Sequence, residues 1–537
     1  MAQTPLVFTP FDLNTGIPDS YPGNFDSVAG KMLFSADHPT LGFELWSSDG
    51  TVAGTQLLKD INTSSVNSFP MNQGHRYMNG KLYFNATDAA NGCELWETDG
   101  TAAGTKLVAD IYPGASSSIT TSMNMVVLNN KLYFVATTAT TGIELWQSDG
   151  TTVGTYLVKD IYPGGLSSGI SNLTVHNGKL YFKADNGTDG EELWVSDGTG
   201  VGTIMLKNIN PGIPGSQINT LTPFNGKVYF IANAGGSGKE IWETDGTNAG
   251  TILFKDINTG PADGVYGDAL FVVNNKMFFA ADDGMAGVEL WASDGTAPGT
   301  AMVKDIYTGG GNSSYPTQFG MYNGKAFFRA NDGTNGYEAW YSDGTTAGTS
   351  MLKDIAPGAT GSLPTTFTQY KKFLYFIANA GADMEIWQSD GTAANTKMVA
   401  PSVTISPMAL FNTSVFHMYD STLFFMAGYD ANGYELWSMK DTTAVAPPPG
   451  FVVNAASQGF TVSPNPAADY FNIHLANKAF TTGSVRLYDV AGRLVWYSVL
   501  QPWVQEHKYY TGHLSKGAYM LSVNIDGLAT GTTLLLE

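Results

Sequence analysis

The chain has 537 residues, 43% of them hydrophobic and 12% aromatic but only 14% charged, with 62 glycines; this is ample material for a core and suits short strands with tight turns better than long surface helices. Its formal charge of −20 rests on the first 459 residues, since the remaining tail is neutral, and that field excludes nucleic acid and anionic membrane as partners. The single Cys93 excludes an intramolecular disulfide framework, and no run of 18 apolar residues is present to form a transmembrane segment.

Residues 1–5 carry no basic or apolar signal region and fit a mature N-terminus left after signal-peptide removal, although a cytoplasmic protein would begin the same way. Residues 6–13 form the first predicted strand. A block then recurs: an apolar strand, a G-x-E-L-W strand, an S-D-G-T-x-x-G-T turn and an L-V-K-D-I strand. Its glutamate falls at Glu44, Glu94, Glu144, Glu192, Glu240, Glu289, Glu338, Glu385 and Glu435, and a tryptophan follows two residues later each time, from Trp46 to Trp437. A period in the range of about 40–50 residues with strand content reads as β-propeller blades.

Four strands are expected per block. In the copy at 173–210 they are 173–176, 179–184, 191–195 and 204–209, joined by Asn177-Gly178, a loop at 185–190 and the turn at 196–203. Residues 210–217 then cross to the next block. The ninth block breaks off after Trp437 without a fourth strand. Asp12-Leu13-Asn14-Thr15-Gly16 matches Asp256-Ile257-Asn258-Thr259-Gly260 at the end of a fourth strand, so residues 6–13 are expected to complete the last blade and close the ring. The expected fold class is all-β: a nine-bladed β-propeller of four-stranded blades over 1–440, a linker over 441–459 and a small C-terminal β-sandwich over 460–537.

Three repeated features invite a chemical reading and have a structural one. In the S-D-G-T-x-x-G-T turn, which resembles the Asp-box turn of sialidase-like propellers, aspartate is expected to cap backbone N–H groups and glycine to take a φ that other residues resist. If Ser48 pairs with Thr55, Trp46 faces Leu57 and Glu44 faces Lys59. The same sum sets Glu144, Glu192, Glu240, Glu289 and Glu338 opposite Lys159, Lys207, Lys255, Lys304 and Lys353. Cross-strand ion pairs of about 0.2–1 kcal/mol each are therefore expected, with Glu94 and Glu385 facing Ala109 and Ala400. The tryptophans are expected to pack between blades.

Residues that vary between copies are better guides to ligands. The loops between second and third strands and the blade-to-blade crossovers should share one face of the ring. The loops carry Asp88, Asp185, Asp282 and Asp332, with Asp37, Asp189, Asp283 and Asp430; the crossovers carry Tyr112, Tyr162, Tyr266 and Tyr307. Carboxylates beside aromatics suit polyols or calcium, and loops on a rigid scaffold are where binding residues gather; a solvated acidic rim would look the same. No cofactor is expected, with calcium kept open. His75, His176 and His417 lie on or near first strands and could line the channel. Only Arg76 and Arg329 lie in the propeller, too few for a sialidase arginine cluster, and no H-E-x-x-H or G-x-S-x-G is present. No catalytic residue is assigned.

Residues 442–450 read as a linker, followed by predicted strands at 471–475, 484–490, 494–500 and 518–525. Three segments stand out: Ser463-Pro464-Asn465-Pro466-Ala467, then Leu487-Tyr488-Asp489-Val490-Ala491-Gly492-Arg493-Leu494-Val495, then Leu514-Ser515-Lys516-Gly517-Ala518-Tyr519. In family order they resemble the motifs of the type A C-terminal sorting domain carried by type IX secretion cargo of Bacteroidota. The end, Leu534-Leu535-Leu536-Glu537, departs from the basic terminus common there. The E-L-W-x-S-D-G-T-x-x-G-T array resembles repeats in secreted proteins of the same bacteria. The resemblance implies that Pro464, Asn465, Pro466, Gly492, Arg493, Gly517 and Tyr519 serve sorting. It further implies export through the periplasm, recognition by the translocon and its sorting-domain receptor, and a final place outside the cell or on the outer-membrane surface. The expected function is a secreted or cell-surface binding or adhesion propeller for a glycan or protein. A polysaccharide-acting hydrolase or lyase, for which two loop carboxylates could serve, and a structural surface component are the alternatives.

Overall fold

The computed structural model describes residues 6–14, 19–64, 66–120, 124–381, 384–399, 416–430, 432–442, 460–463, 470–475, 483–488, 494–500, 506–510, 517–525 and 528–536, and these hold strands and turns with no helix. Nine four-stranded antiparallel sheets follow one another as blades. Blade one comprises Gly23–Val28, Lys31–His38, Gly42–Ser48 and Gln56–Lys59, hydrogen-bonded in that order, and blades two to eight repeat it. Blade nine takes His417–Tyr419, Thr422–Ala427 and Glu435–Asp441 from the end of the propeller and Leu6–Phe11 from its start. Leu6 stands opposite Asp441 and Phe11 opposite Leu436. The expected closure is thus observed.

Each second strand is apolar on both faces, because both faces meet a neighbouring blade. Phe34, Phe84, Phe134, Phe182 and Phe230 are wholly buried, and the blade tryptophans are buried too. Trp96 of blade two shares a core with Leu33, Leu45 and Leu58 of blade one, and Trp46 of blade one packs with Phe11, Phe424 and Leu436 of blade nine. The tryptophans are therefore inter-blade core, as expected, and that last cluster seals the ring.

The turn between third and fourth strands is a self-contained hydrogen-bond unit. In blade one Asp49 Oδ1 accepts from the Thr51 N–H at 2.9 Å and the Thr51 hydroxyl at 2.7 Å. The Thr51 hydroxyl oxygen accepts from the Gly54 N–H at 3.0 Å, and the Thr55 hydroxyl donates to the Thr51 carbonyl at 2.7 Å. A Cβ at Gly54 would lie 2.0 Å from the Asp49 carboxylate, so only glycine fits. The turn carboxylates at Asp99, Asp149, Asp197, Asp245, Asp294, Asp343 and Asp390 accept from their threonines in the same way. The turn is structural.

The expected Glu–Lys pairs do not form. Trp46 does face Leu57, but the register slips between Leu45 and Trp46, so Lys59 stands opposite Leu45. The same slip recurs beside Trp96, Trp146, Trp194, Trp242, Trp291 and Trp340. One extra residue moves every later side chain to the other face of the sheet. The lysines then reach the following blade: Lys59 Nζ donates to the Thr105 carbonyl at 2.6 Å, Lys159 to Thr203 at 2.6 Å and Lys353 to Thr396 at 2.7 Å.

In the tail, Phe460–Ser463, Tyr470–Leu475 and Glu506–Tyr510 form one sheet. Leu494–Val499, Gly483–Tyr488, Gly517–Ile525 and Leu528–Leu536 form a second. Phe471, Ile473, Val485, Leu487, Leu521 and Val523 belong to a shared core, the sandwich expected. The strands at Phe460–Ser463, Glu506–Tyr510 and Leu528–Leu536 were not foreseen. Pro464, Asn465, Pro466, Gly492 and Arg493 lie outside the described residues, as do 443–459 of the expected linker. Gly517 opens its strand and Tyr519 is buried in the core.

Candidate functional site

Antiparallel order places the second-to-third-strand loops and the crossovers on one face of the ring, and the hairpins and S-D-G-T turns on the other. The repeated glutamates tie the crossovers down. Glu94 is wholly buried; its Oε2 accepts from the Ile111 N–H at 3.0 Å and the Ser118 hydroxyl at 2.5 Å, and its Oε1 from the Ser118 N–H at 2.9 Å. Glu44 accepts from Ile61 and Ser68 at 2.7 Å each, Glu289 from Ile306 and Ser314, and Glu435 from Leu13 and Ser20. Burial pushes these carboxyls up, against the pull of their donors; Glu44, Glu144, Glu240 and Glu435 reach about 7. The expectation missed this role. Its signal was a serine 24 or 25 residues after most of the glutamates.

The loop aspartates cap their own turns. Asp88 Oδ1 accepts from the Ala90 and Asn91 N–H groups at 2.8 Å each, and Asp332 Oδ1 from Thr334 and Asn335. Asp185 accepts from Gly187 and Asp282 from Gly284, each at 2.7 Å. Tyr112, Tyr162 and Tyr307 lie on crossovers as expected, whereas Tyr266 lies instead on the first strand of blade six, Val265–Val273; all four are half-buried. A Cβ at Gly187 would lie 2.6 Å from the Tyr162 ring, and one at Gly333 2.2 Å from Tyr307, so each ring lies on the next blade's loop beside its aspartate. Tyr112 holds its backbone N–H toward Glu94 Oε1 at 3.4 Å. Tyr266 is pushed up by burial and by the charges of Asp282 and Asp263. Tyr162 with Asp185 and Tyr307 with Asp332 thus meet at separate blade junctions, while Tyr266 and Asp282 belong to one blade.

A second set of side chains on this face had not been foreseen. Ser20-Tyr21-Pro22, Ser68-Phe69-Pro70, Ser314-Tyr315-Pro316 and Ser362-Leu363-Pro364 occupy one repeat position, where a crossover turns inward to the first strand. In each triplet serine and proline are buried and the middle residue is exposed. The middle residues have φ of 44°, 43°, 45° and 51°, a left-handed conformation costing bulky residues roughly 1–2 kcal/mol each. Both Ser68 and Phe69 N–H groups donate to the Phe43 carbonyl, at 2.9 and 3.2 Å, which fixes the turn. The blade-four and blade-five equivalents are Gly169 and Gln217, also at positive φ.

At the seam, His75 of blade two and His417 of blade nine flank blade one. His75 Nε2 lies 3.5 Å from Asp26 Oδ2, and His417 Nε2 lies 3.5 Å from Ser27 Oγ. The His417 ring stacks on Phe25, and burial holds it below its ordinary range. His176 belongs to blade four. Among the described residues no group of three or more His, Cys, Asp or Glu is arranged to hold a metal ion. Arg76 donates to the Met125 carbonyl and Arg329 lies over the Tyr337 ring, so the two arginines sit in different blades. Burial pushes the Cys93 thiol up, which makes it a weak nucleophile.

Residues 461–536 match the family model of the secretion system C-terminal sorting domain. A comparison with curated protein sequences finds no match. Among solved structures, puromycin hydrolase is similar at 13% identity and a TM-score of 0.36, over 69% of this chain and 61% of that one. Prolyl oligopeptidase B from Galerina marginata is similar at 10% identity and a TM-score of 0.38, over 68% and 57%. The β-propeller domain of the Trilobed protease from Pyrococcus furiosus gives 12% identity and a TM-score of 0.30, over 62% and 98%. The match spans less than two thirds of the length of the first two chains.

Proposed function

We propose, from a C-terminal tail that sorts its carrier for secretion, that the protein is type IX secretion cargo. Its propeller binds a glycan or a protein at the surface of a bacterium through the crossover face. The match of residues 461–536 to the sorting domain carries the export half of this reading. The binding half is supported by a division of labour in the ring. Turn aspartates, buried glutamates and tryptophans are consumed by the frame, while the residues that differ between blades gather on one face. Tyr112, Tyr162, Tyr266 and Tyr307, with Asp88, Asp185, Asp282 and Asp332, are the contacts first assigned to it, on a rigid scaffold suited to display.

Two measurements test the two halves. Deleting residues 460–537 in a host with a type IX translocon should leave the propeller in the periplasm; undiminished release outside the cell would overturn the export half. Replacing Tyr112, Tyr162 and Tyr307 together by alanine should weaken retention on a glycan array or on host cells, and unchanged retention would remove them from the binding face.

A further inference from the structure

The four outward residues of the Ser-x-Pro triplets are not scattered around the ring. Tyr21 and Phe69 lead into blades one and two, and Tyr315 and Leu363 into blades seven and eight. Those blades flank blade nine, whose equivalent position lies outside the described residues. On the opposite arc the position holds buried Ile119, Gly169, Gln217 and buried Val265. Bulk and exposure thus belong to one side of the face: Tyr21, Phe69, Tyr315 and Leu363 are 40%, 42%, 49% and 38% exposed.

The display is held rigidly. Tyr21 stacks on Tyr434 at 6.0 Å and 22°, and Phe69 on Phe43 at 5.4 Å and 26°. Both buttresses come from the preceding blade's third strand or its approach. The Tyr21 hydroxyl donates to Asp19 Oδ2 at 2.9 Å and the Tyr434 N–H to Asp19 Oδ1 at 2.7 Å, so one carboxylate ties the ring to its buttress. A strained backbone that holds an apolar ring in water is retained against its cost, and such strain gathers where residues are pre-organised for contact.

We infer that this arc binds a neutral polysaccharide, with Tyr21, Phe69 and Tyr315 each stacking on a sugar ring of the polymer and Leu363 adding apolar contact. This rests on the proposed binding reading but moves the site from the half-buried crossover tyrosines to the triplets. The rings are separate knobs, one per blade, each between a buried serine and a buried proline. Separate aromatic contacts, one per blade, suit a long polymer with apolar CH faces; a protein partner needs a contiguous dry patch. The chain's charge of −20 repels polyanionic glycans.

Affinity electrophoresis of the full chain, in native gels cast with a β-glucan, a galactomannan, a xylan or polygalacturonate, tests this. The triple variant Tyr21→Gln, Phe69→Gln, Tyr315→Gln copies the residue blade five already uses at Gln217, so it should fold with a melting midpoint lowered by only a few degrees, the loss of two ring stacks. The wild type should be retarded by at least one neutral polymer, with affinity cut roughly tenfold or more in the triple variant. Val153→Gln with Val201→Gln on the opposite face should leave retardation unchanged. If the triple variant binds like the wild type while Tyr112→Ala, Tyr162→Ala, Tyr307→Ala does not, the arc is wrong and the binding face stands. Retardation by polygalacturonate alone overturns the ligand class. Retardation by none of the four overturns the arc as a polysaccharide site and leaves only the protein-binding form of the reading standing.

Discussion

A carboxyl group walled in by backbone donors is pulled two ways: burial favours its neutral form, and each N–H favours its charge. In the repeated glutamates burial wins, and Glu44, Glu144, Glu240 and Glu435 are raised from an ordinary 4.5 to about 7; Glu94, Glu192, Glu289 and Glu338 move the same way. A raised folded pKa means that the native ring holds protons which the unfolded chain releases. This contribution to stability is full below pH 4.5 and is lost as pH climbs through about 7. The turn aspartates are held below their ordinary 3.8 by threonine donors, so theirs is present above that value and lost in stronger acid. His417, lowered from 6.5, works against the folded state as pH falls below 6.5, but it is one group against eight. The urea midpoint should therefore be higher at pH 5 than at pH 8; a midpoint that rises between those values would refute the assignment.

At the scale of the element, each crossover among the described residues is pinned by one side chain of the blade it leaves. Glu94→Ala would strip acceptors from the Ile111 and Ser118 N–H groups and the Ser118 hydroxyl, at a cost of about 3 kcal/mol or more. Hydrogen exchange should show those two amides losing protection first; if they stay protected, the glutamate is not the anchor. Lys159→Ala, which removes a partly exposed tie to the Thr203 carbonyl, should cost under about 1 kcal/mol. Reading these roles from sequence failed for a physical reason. Hairpin arithmetic assumes a continuous ladder, and the bulge before seven of the blade tryptophans breaks it, sending lysine and glutamate to opposite faces. What is local and periodic was legible: the blades, the capped turns and the inter-blade tryptophans. The Ser-x-Pro triplets were also in plain view, but only positive φ and the burial on either side distinguish Tyr21, Phe69, Tyr315 and Leu363 from ordinary loop residues. In the tail, Glu506–Tyr510 shows no apolar alternation and Leu528–Leu536 is half Gly, Ala and Thr, so both strands escaped.

For the whole molecule, closure depends on one pairing. Removing residues 1–13 would expose the Glu435–Asp441 edge, uncover Phe424 and Leu436, and take the Leu13 N–H from Glu435. Loss of a strand carrying a wholly buried Phe should cost several kcal/mol, with a burial term alone of about 3–5. Limited proteolysis should then cut first in blade nine, and an unchanged cutting pattern with an unchanged melting midpoint would refute the closure. Leu13 and its acceptor Glu435 are 422 residues apart. A chain threaded vectorially across a membrane brings out one of these partners long before the other. Blades one to eight can assemble in order as they emerge, but the torus cannot lock until the final third strand is delivered. Until then the strand at the start of the chain has no edge to pair with, so the first residues to appear are the last to find their place.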